Sequence, residues 1–453
     1  MRHIFSGLVL FLTLSSLLPA QNDLSSPLLR DTWQALAVNP AWQPKGILVG
    51  LPGMYSDLYI TNITYNDLIR KENGQTIVDI DQAISRLGDQ NTLRERLDVE
   101  TIGIALRLGP VGVNLGHRLR FIGQIDYPKT LPQLIWQGNA QFVGQTIGFG
   151  PAVDVTAYHE LSLGGNIGLG EHLQVGARVK LLSGAGNAHT ERNDLQLTTD
   201  ENAYELTLDA DLRVNTSQSI NYDSFRDVST DFNFGDFSLS GILGKNTGLA
   251  FDLGASARFG RLQVAVSALD LGASINWKDD PRNYTLEGQY DYTGLDLAQH
   301  VLEEEGELNS VIDTLLDIYE PTETAESYTT EINAKYYLNG AFDVTSRWQA
   351  GLIFFAEQAP DEWQTALALT SSYQFPMGLR LGGFYGLRRE RFDNIGLNAV
   401  YSLGPVRLIA ATDNVITVFR PKDAHQANFR LGINLFFGKS TQEEMEEERP
   451  SFF

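Results

Sequence analysis

Eight basic side chains recur where the sequence alternates between apolar and polar residues. They are Arg107, Arg178, Lys180, Arg258, Arg380, Arg388, Arg407 and Arg430. A guanidinium presents a planar fork of donors that suits carboxylates, and an ammonium acts as a compact point charge. Such residues can bind anionic solutes, or they can pair with acidic side chains inside the protein. The chain as a whole is acidic, with 34 Lys+Arg against 56 Asp+Glu and a formal net charge of -22.

The sequence leaves both uses of these basic residues open. Acidic partners are available in Glu160, Asp252, Glu331 and the N-terminal segment, so one interpretation is a set of internal ion pairs. The other is an anion-selective or carboxylate-binding interior. The net charge argues against nucleic acid as a partner, because an acidic protein repels a polyanion.

Patterns that would indicate an enzyme are weak. Residues 164–170 are rich in glycine, but no helix is predicted after them, which a dinucleotide-binding loop requires. The seven His are scattered without metal-ligand spacing, and His159 with Asp154 and Ser162 is a chance neighbourhood within one strand. We therefore predict no enzymatic activity, no cofactor and no metal site.

Alternation with a period of two defines the elements that carry the basic residues. In residues 426–438 large apolar side chains occupy every second position, with Arg430, Gly432 and Asn434 between them. Residues 377–389 repeat the pattern. It suits a barrel with lipid outside and a polar bore, and a charge on the lipid face costs roughly 2 to 4 kcal/mol at the midplane. The eight basic residues are thus predicted to face the lumen. The alternative, a soluble solenoid or sandwich, would expose many large apolar side chains.

The N-terminus predicts export. Residues 1–20 have a short basic start, an apolar stretch and a Pro19-Ala20 end, as in a cleaved signal peptide. An uncleaved anchor is the alternative, although the apolar stretch is shorter than the roughly 20 residues of a spanning helix. No other stretch is long and apolar enough to span as a helix. The chain has no Cys, which excludes disulfides and a lipid-anchored leader.

Short turns alternate with long connections along the chain. The short turns fall at 109–110, 170–171, 259–260, 345–346, 375–376 and 404–405, and the long connections at 123–150, 187–245 and 276–327. Antiparallel neighbours alternate ends, so all short turns lie at one end of the barrel and all long loops at the other. The spacing predicts an all-β fold, a transmembrane antiparallel β-barrel of about 14 strands over residues 46–438, located in the cell outer membrane.

Other segments are predicted to lie outside the wall. Residues 21–45 precede the first strand and form a periplasmic or luminal plug segment, and residues 439–453 form an acidic periplasmic tail. Residues 66–98 and 295–319 place apolar side chains at helical spacing. They predict helical extracellular loops that cap the barrel's own loops, close a ligand entrance or dock a partner. Aromatic residues near strand ends, including Trp277, are predicted to lie at the membrane interface.

The motif Asn39, Pro40 and Ala41, followed by a Gly and the first strand, resembles the opening of barrels similar to the long-chain fatty acid transporter (FadL-like) family. The type IX secretion barrels called PorP or SprF share this opening. More extensive similarity, through segments 39–44, 50–53, 136–140, 176–184 and 270–272, identifies the chain as resembling an uncharacterised family, a domain of unknown function, of outer-membrane barrels from Gram-negative Bacteroidetes-type bacteria. The resemblance spans nearly the whole mature chain.

The fatty-acid-transporter resemblance implies a plugged barrel that passes apolar ligands. We therefore predict passage of a small apolar or amphiphilic molecule across the outer membrane, with outer-membrane lipid and a hydrophobic ligand as partners. The secretion-barrel resemblance implies the alternative, a non-transporting barrel that docks secretion or surface proteins. A continuous apolar pocket in the lumen would favour passage. A lumen filled by paired charges, together with an exposed apolar loop face, would favour docking.

Overall fold

The computed structural model describes residues 23–438 except 73–74, 171, 202–204, 219, 225–226, 231–243, 245, 294–320, 359–362 and 389–390. The predicted signal peptide, the predicted acidic tail and the predicted helix at 295–319 therefore lie outside the described residues. Within the described part of the chain, no helix combines the length and apolar character needed to cross a membrane.

Strands make up most of the described chain. They are β1 (Ile47–Gly50), β2 (Gly53–Ile60), β3 (Ile69–Glu72), β4 (Gln75–Val78), β5 (Gln90–Leu108), β6 (Val111–Pro128), β7 (Gln145–Gly148), β8 (Ala152–Leu169), β9 (Leu173–Thr199), β10 (Glu205–Ser217), β11 (Ile220–Ser224), β12 (Asp227–Thr230), β13 (Thr247–Phe259), β14 (Leu262–Trp277), β15 (Pro281–Thr293), β16 (Thr322–Thr324), β17 (Tyr328–Glu331), β18 (Lys335–Asp343), β19 (Trp348–Gln358), β20 (Trp363–Gln374), β21 (Leu379–Arg388), β22 (Arg391–Leu403), β23 (Val406–Thr412) and β24 (Gln426–Phe437). The α-helices are α1 (Trp33–Val38), α2 (Tyr65–Leu68), α3 (Ile80–Arg86), α4 (Thr130–Gln137) and α5 (Val415–Phe419).

The wall of the molecule is a closed barrel. Strands β1 and β2 together form the first wall strand, since both pair antiparallel with β24 on one side and with β5 on the other. From β5 the wall continues through β6, β8, β9, β13, β14, β17 with β18, β19, β20, β21, β22, β23 and β24. The fold is therefore an antiparallel barrel of 14 strands, which confirms the predicted fold class and strand number.

The two faces of the wall follow the period-two pattern. In β24 the outward residues Phe429, Leu431 and Ile433 are exposed, while Arg430 and Asn434, at alternate positions, are buried. Neighbouring strands are in register, so outward apolar side chains lie beside one another and form a band around the barrel. Polar residues of the same strands face inward, where their hydrogen-bonding groups can be satisfied.

The short turns lie at one end of the barrel. Gly109, Gly170, Gly260 and Gly404 occupy these turns with φ of 66°, 68°, 59° and 57°. Glycine adopts this left-handed conformation without the steric cost that a Cβ brings, so each hairpin can reverse within two residues. Chain continuity places the long connections at the opposite end, called the outer end below.

The outer connections contain more strand than the sequence predicts. The stretch 66–98 holds the short helices α2 and α3, but Leu93 and Leu97 belong to β5. Strands β9, β10 and β15 pair as a sheet that extends past the barrel, through regions predicted as long loops. Leu197 and Leu206 of this sheet pack with Leu134 of α4. The apolar residues of this sheet thus pack in a local core outside the barrel. The sequence pattern alone did not distinguish these strands from a long loop.

Trp277 also differs from its predicted place at the membrane interface. Its side chain is fully buried on the inner side of β14, and its Nε1 donates a hydrogen bond to Thr330 Oγ1 at 2.8 Å. Tyr158, Leu182 and Ile275 pack in the same cluster. Trp277 therefore packs in the interior of the barrel and not at the membrane interface, where the sequence pattern predicted it.

Candidate functional site in the barrel interior

The N-terminal segment, residues 24–42, lies inside the wall against inward-facing side chains of strands around the barrel. Trp33 in α1 packs on Gly50, Gly103 and Gly116, which belong to three adjacent wall strands. A Cβ at any of these glycines would overlap the indole ring. Three adjacent wall strands therefore each have a glycine at the position that contacts Trp33.

The Asn39, Pro40 and Ala41 motif forms a tight docking point. Asn39 Oδ1 accepts a hydrogen bond from Ala41 N at 2.9 Å, and Asn39 Nδ2 donates to Val266 O at 3.1 Å. A side chain at Gly254 would overlap Asn39. The asparagine thus fixes its own turn and anchors that turn to β14.

Wall side chains bind successive carbonyl groups of the segment. Arg178 donates from Nη2 to Leu36 O at 2.8 Å and from Nη1 to Ala37 O at 3.0 Å. Ser267 Oγ donates to Val38 O at 2.7 Å. These carbonyls have no helical partner at the end of α1, so the wall supplies the donors that a helix terminus requires.

Two more of the predicted basic residues hold the segment near the short-turn end. Arg380 donates from Nη1 to Arg30 O at 3.1 Å, and its Nη2 lies 3.5 Å from Asp31 Oδ2. Arg407 donates to Asp31 O and lies over the Phe436 ring at 3.9 Å. The guanidinium groups here bind the chain itself and occupy the donors that a solute anion would use.

Arg430 ties the start of the described chain to the last strand. Its Nη2 lies 2.6 Å from Asp23 Oδ2, and its Nη1 lies 3.1 Å from Glu100 Oε1. The guanidinium also stacks over the Tyr55 ring at 4.5 Å. Tyr337 OH donates to Asp23 O at 3.1 Å, so Asp23 is bound from two sides of the barrel.

Asp270 lies at the centre of a buried charge network. Lys180 Nζ is 2.6 Å from Asp270 Oδ1, while Lys335 Nζ and Arg120 Nη1 are each 3.1 Å from Oδ2. Asp270 has φ of 57° and lies in an irregular part of the pairing between β13 and β14, where the register shifts on both sides of the neighbouring Leu271. This left-handed conformation costs on the order of 1 to 3 kcal/mol for a residue with a Cβ, and the three cations offset that cost.

The network continues from Arg120 toward β5 and β8. Arg120 Nε lies 3.2 Å from Asp98 Oδ1, and its Nη1 lies 3.2 Å from Glu160 Oε2. Arg118 pairs with Glu160 at 2.8 Å, and Arg96 pairs with Asp98 at 2.9 Å. The pairs are interlocked, which satisfies charges that would be costly to bury singly.

Asp252 joins this network to the N-terminal segment. Its Oδ1 is 2.7 Å from Lys180 Nζ, and its Oδ2 is 3.0 Å from Arg178 Nη1. Because Arg178 also binds two carbonyls of α1, the seat of the segment and the charge network share one guanidinium. We call the inner side of β5, β6, β8, β9, β13 and β14, with Lys335, the ionic half.

The remaining inner wall, on β19 to β23, is mostly apolar where the segment touches it. Leu24 and Val38 belong to a cluster with inward residues Ile353, Phe355, Ala366, Ala368 and Phe384. Leu29 packs with Val400 and Ile409. We call this side the apolar half. The interior thus has one side built mainly from ion pairs and one side built mainly from hydrocarbon, on which Arg380 and Arg407 add hydrogen bonds to the segment.

The structure places the predicted basic residues in three settings. Arg178, Lys180, Arg407 and Arg430 are buried, and Arg380 is half-buried; all five contact the segment or the ionic half. Arg107 and Arg258 lie exposed near short turns, where Arg107 Nε donates to Gly109 O at 3.0 Å and Arg258 pairs with Asp343. Arg388 ends β21, and its side chain lies outside the described part. Glu160 and Asp252 are partners of the basic residues, whereas Glu331 is exposed.

Sequence reasoning missed several members of the ionic half. Arg96 and Asp98 lie in a stretch assigned to helix, so their inward direction could not be deduced. Arg118 and Arg120 continue the inward positions of Gly112 and Asn114 along β6 at a period of two. That periodicity was the available signal.

A family model described as a family of unknown function, DUF5723, matches residues 40–413. The chain belongs to the DUF5723 family. This confirms the resemblance to an uncharacterised barrel family, and the origin in Bacteroidetes stays a prediction. The DUF5723 match begins at Pro40 in the docking motif and ends at Asp413, which accepts a hydrogen bond from Ser25 Oγ.

Two solved structures are similar to this chain over most of its length. The P. putida toluene transporter TodX has a TM-score of 0.45 and 11% identity, with 90% of this chain and 94% of that chain covered. A Pseudomonas aeruginosa FadL homologue has a TM-score of 0.39 and 11% identity, with 86% and 88% covered. No curated protein matches this DUF5723 sequence. The fold assignment rests on the strand pairing of the chain itself.

Proposed function

We propose that the protein is an outer-membrane barrel that mediates passage of a small apolar or amphiphilic molecule, with residues 21–45 as its plug. The outward band supports the membrane location. Leu369 is 63% exposed, and Leu431 is 52% exposed. A continuous band of this kind is unfavourable in water and favourable in hydrocarbon.

The observation that carries the passage proposal is the apolar half of the interior. Leu24, Leu29 and Val38 of the N-terminal segment cover Phe355 and Ile409 on the inner wall. An aqueous pore has a polar lining. Movement of the segment would expose an apolar strip between Arg380 and Arg407, along which a hydrocarbon chain can replace the apolar contacts of the segment.

The ionic half supports a route restricted to the apolar half. A solute crossing near Asp270 would have to separate buried ion pairs, and loss of one partner from such a pair costs about 3 to 5 kcal/mol. The observed pairs also favour internal ion pairing over the anion-selective interior that the sequence left open. Anionic solutes are therefore not the proposed cargo.

The absence of cysteine allows a direct test of the plug. In the Leu29→Cys/Ile409→Cys variant, both thiols replace side chains of one packed cluster, so a disulfide would hold the segment on the wall. We expect the oxidised protein in liposomes to lose uptake of an uncharged fluorescent amphiphile, and the reduced protein to regain it.

The single-cysteine variants Leu29→Cys and Ile409→Cys are the matched controls, and their uptake should not respond to oxidant. Equal uptake by the oxidised and reduced double variant would overturn passage past the segment. Equal uptake of a hydrophilic sugar of similar size would overturn the apolar character of the route.

The ionic half also favours a second candidate, a non-transporting barrel that docks secretion or surface proteins. A lumen crossed by paired charges is compatible with a barrel that never opens. In that case, cells with the oxidised Leu29→Cys/Ile409→Cys variant would secrete and display surface proteins as well as cells with the wild type. Chemical crosslinking in intact cells would then join the outer end of the barrel to a protein partner.

A further inference from the structure

Helix α5 at the outer end has the opposite burial pattern to a helix in water. Thr417 is its buried residue, at 9% exposure, whereas Val418 and Phe419 are 62% and 80% exposed. A solvated helix buries its apolar side and exposes its hydroxyls. The exposed face of α5 therefore suits apolar surroundings.

This apolar face lies between two wall strands that both contribute to the outward band of the barrel. Helix α5 follows β23, whose outward residue Leu408 is 41% exposed, and precedes β24, whose outward residue Phe429 is 41% exposed. Asn414 caps the helix, its Oδ1 accepting from Ile416 N at 3.1 Å. The short helix is thus fixed at the end of the band, where the hydrocarbon of a membrane gives way to head groups.

Helix α2 adds a second apolar patch beside α5. Tyr65 and Leu68 are 50% and 39% exposed. The two loops are joined, because Asn66 Nδ2 donates to Asp423 Oδ1 at 2.5 Å and Lys422 Nζ lies 5.6 Å from the centre of the Tyr65 ring. The pair forms one surface at the outer end.

Helix α2 also carries its own electrostatic cap. The Thr64 hydroxyl donates to Asp67 Oδ2 at 2.7 Å, and this hydrogen bond lowers the pKa of the Asp67 carboxyl. Asp67 lies 3.5 Å from Arg86 Nε. The acidic group of α2 is therefore engaged within its own loop and does not neutralise the cations that follow α5.

Two cations flank the apolar surface. Arg420 and Lys422 are exposed directly after α5, and no described carboxylate lies within the 4.0 Å ion-pair distance of either one. The chain as a whole carries a net charge of -22, so these cations stand out against an acidic background. Apolar contact next to positive charge is the complement of an amphiphile with an anionic head.

We propose that α2, α5 and the cations Arg420 and Lys422 form a binding site for a phosphorylated lipid of the outer leaflet. Acyl chains contact Val418 and Phe419, and the lipid phosphate lies between the two cations. The proposal rests on the proposed outer-membrane location. A free phosphate would use the cations alone, so the apolar face identifies the lipid as the ligand.

The test uses the full mature protein in detergent, titrated with fluorescent lipid A and followed by anisotropy. A cation near an anionic membrane surface contributes about 1 kcal/mol, or roughly fivefold in affinity. We expect the Arg420→Gln/Lys422→Gln variant to bind lipid A roughly 25-fold more weakly. We expect Phe419→Ser to weaken binding about tenfold, because a large apolar contact is lost.

The matched control is Arg261→Gln/Arg347→Gln, which removes two cations near the short turns and should leave lipid A binding unchanged. Equal weakening by the control, or no weakening by the test variants, would overturn the site. Competition by inorganic phosphate as strong as by lipid A would mean an anion site without lipid and would also overturn it.

Failure of the membrane location is separately visible. Cell fractionation would then place the wild-type protein outside the outer membrane, whatever its affinity for lipid A in detergent. An outer-membrane protein that binds a phosphate-free lipid as tightly as lipid A would leave the location intact and contradict the lipid site.

Discussion

The two halves of the interior solve the same packing problem with different chemistry. The ionic half fills its space with interlocked charges around Asp270 and Arg120, whereas the apolar half fills it with Phe355, Phe384 and the N-terminal segment. Loss of any one member of a charged network is costly, because the partner of the removed residue is left as an unpaired buried charge. Hydrocarbon contacts are non-directional and can be remade with another apolar partner. A charge network with fixed partners and an apolar cluster that can repack therefore lie side by side in the interior.

The largest expected effect comes from breaking the ionic half at its centre. Asp270→Asn keeps the shape of the side chain but removes the charge that faces Lys180, Lys335 and Arg120. We expect a loss of about 3 to 5 kcal/mol in the free energy of unfolding. Urea unfolding in detergent, followed by the heat-modifiable mobility of the barrel on gels, measures it. A smaller loss of unfolding free energy than in Ile353→Val would contradict our expectation that the ionic half is the more sensitive to substitution.

The junction between the halves should respond next. Arg178→Lys keeps a cation beside Asp252 but loses the fork that binds Leu36 O and Ala37 O. We expect the seat of the segment to weaken by about 2 kcal/mol, so that thiol labelling of a Val38→Cys reporter accelerates roughly thirtyfold. The reporter alone is the control. Unchanged labelling would show that Arg178 serves the charge network and not the segment.

A change within the apolar half should have a smaller effect. Ile353→Val removes one methylene group from the cluster around Leu24, and we expect a loss of about 1 kcal/mol in the free energy of unfolding. The same unfolding assay measures it. Labelling of the Val38→Cys reporter should change little, because the cluster can repack.

The smallest effect is expected at the short-turn end. Asp343→Asn breaks the exposed pair with Arg258, whose side chain is 56% exposed. We expect a loss of about 0 to 1 kcal/mol, which high salt should reduce further. A loss comparable to that of Asp270→Asn would show that burial does not separate the two kinds of ion pair.

The wall was predictable because its physical requirement is local. Each strand must alternate apolar and polar side chains, and residues 377–389 and 426–438 do so visibly. The direction of Arg178 and Arg430 follows from the same rule. Strand number follows from turns and loop parity, both of which are written in short stretches of sequence.

The interior was less predictable because its partners are distant in sequence. Nothing near Asp270 announces that Lys180, Arg120 and Lys335 converge on it from other strands. The seat of Trp33 left a trace in the inward glycines Gly50, Gly103 and Gly116, but glycine is common in this chain and has other uses. Trp277 was misplaced because strand ends in both lipid and lumen accept aromatic residues.

The contacts of Arg430 have a consequence for biogenesis. The Arg430 guanidinium in the final strand forms ion pairs with Asp23, 407 positions earlier, and with Glu100. Glu100 lies across the seam where the first and last wall strands meet. The earliest part of the polypeptide can complete its seat only after the latest part has arrived. Closure of that seam and protection of the N-terminal segment should therefore occur together during assembly. Pulsed thiol labelling of a Val38→Cys chain should then fall at the same time as the heat-modifiable mobility of the closed barrel appears on gels.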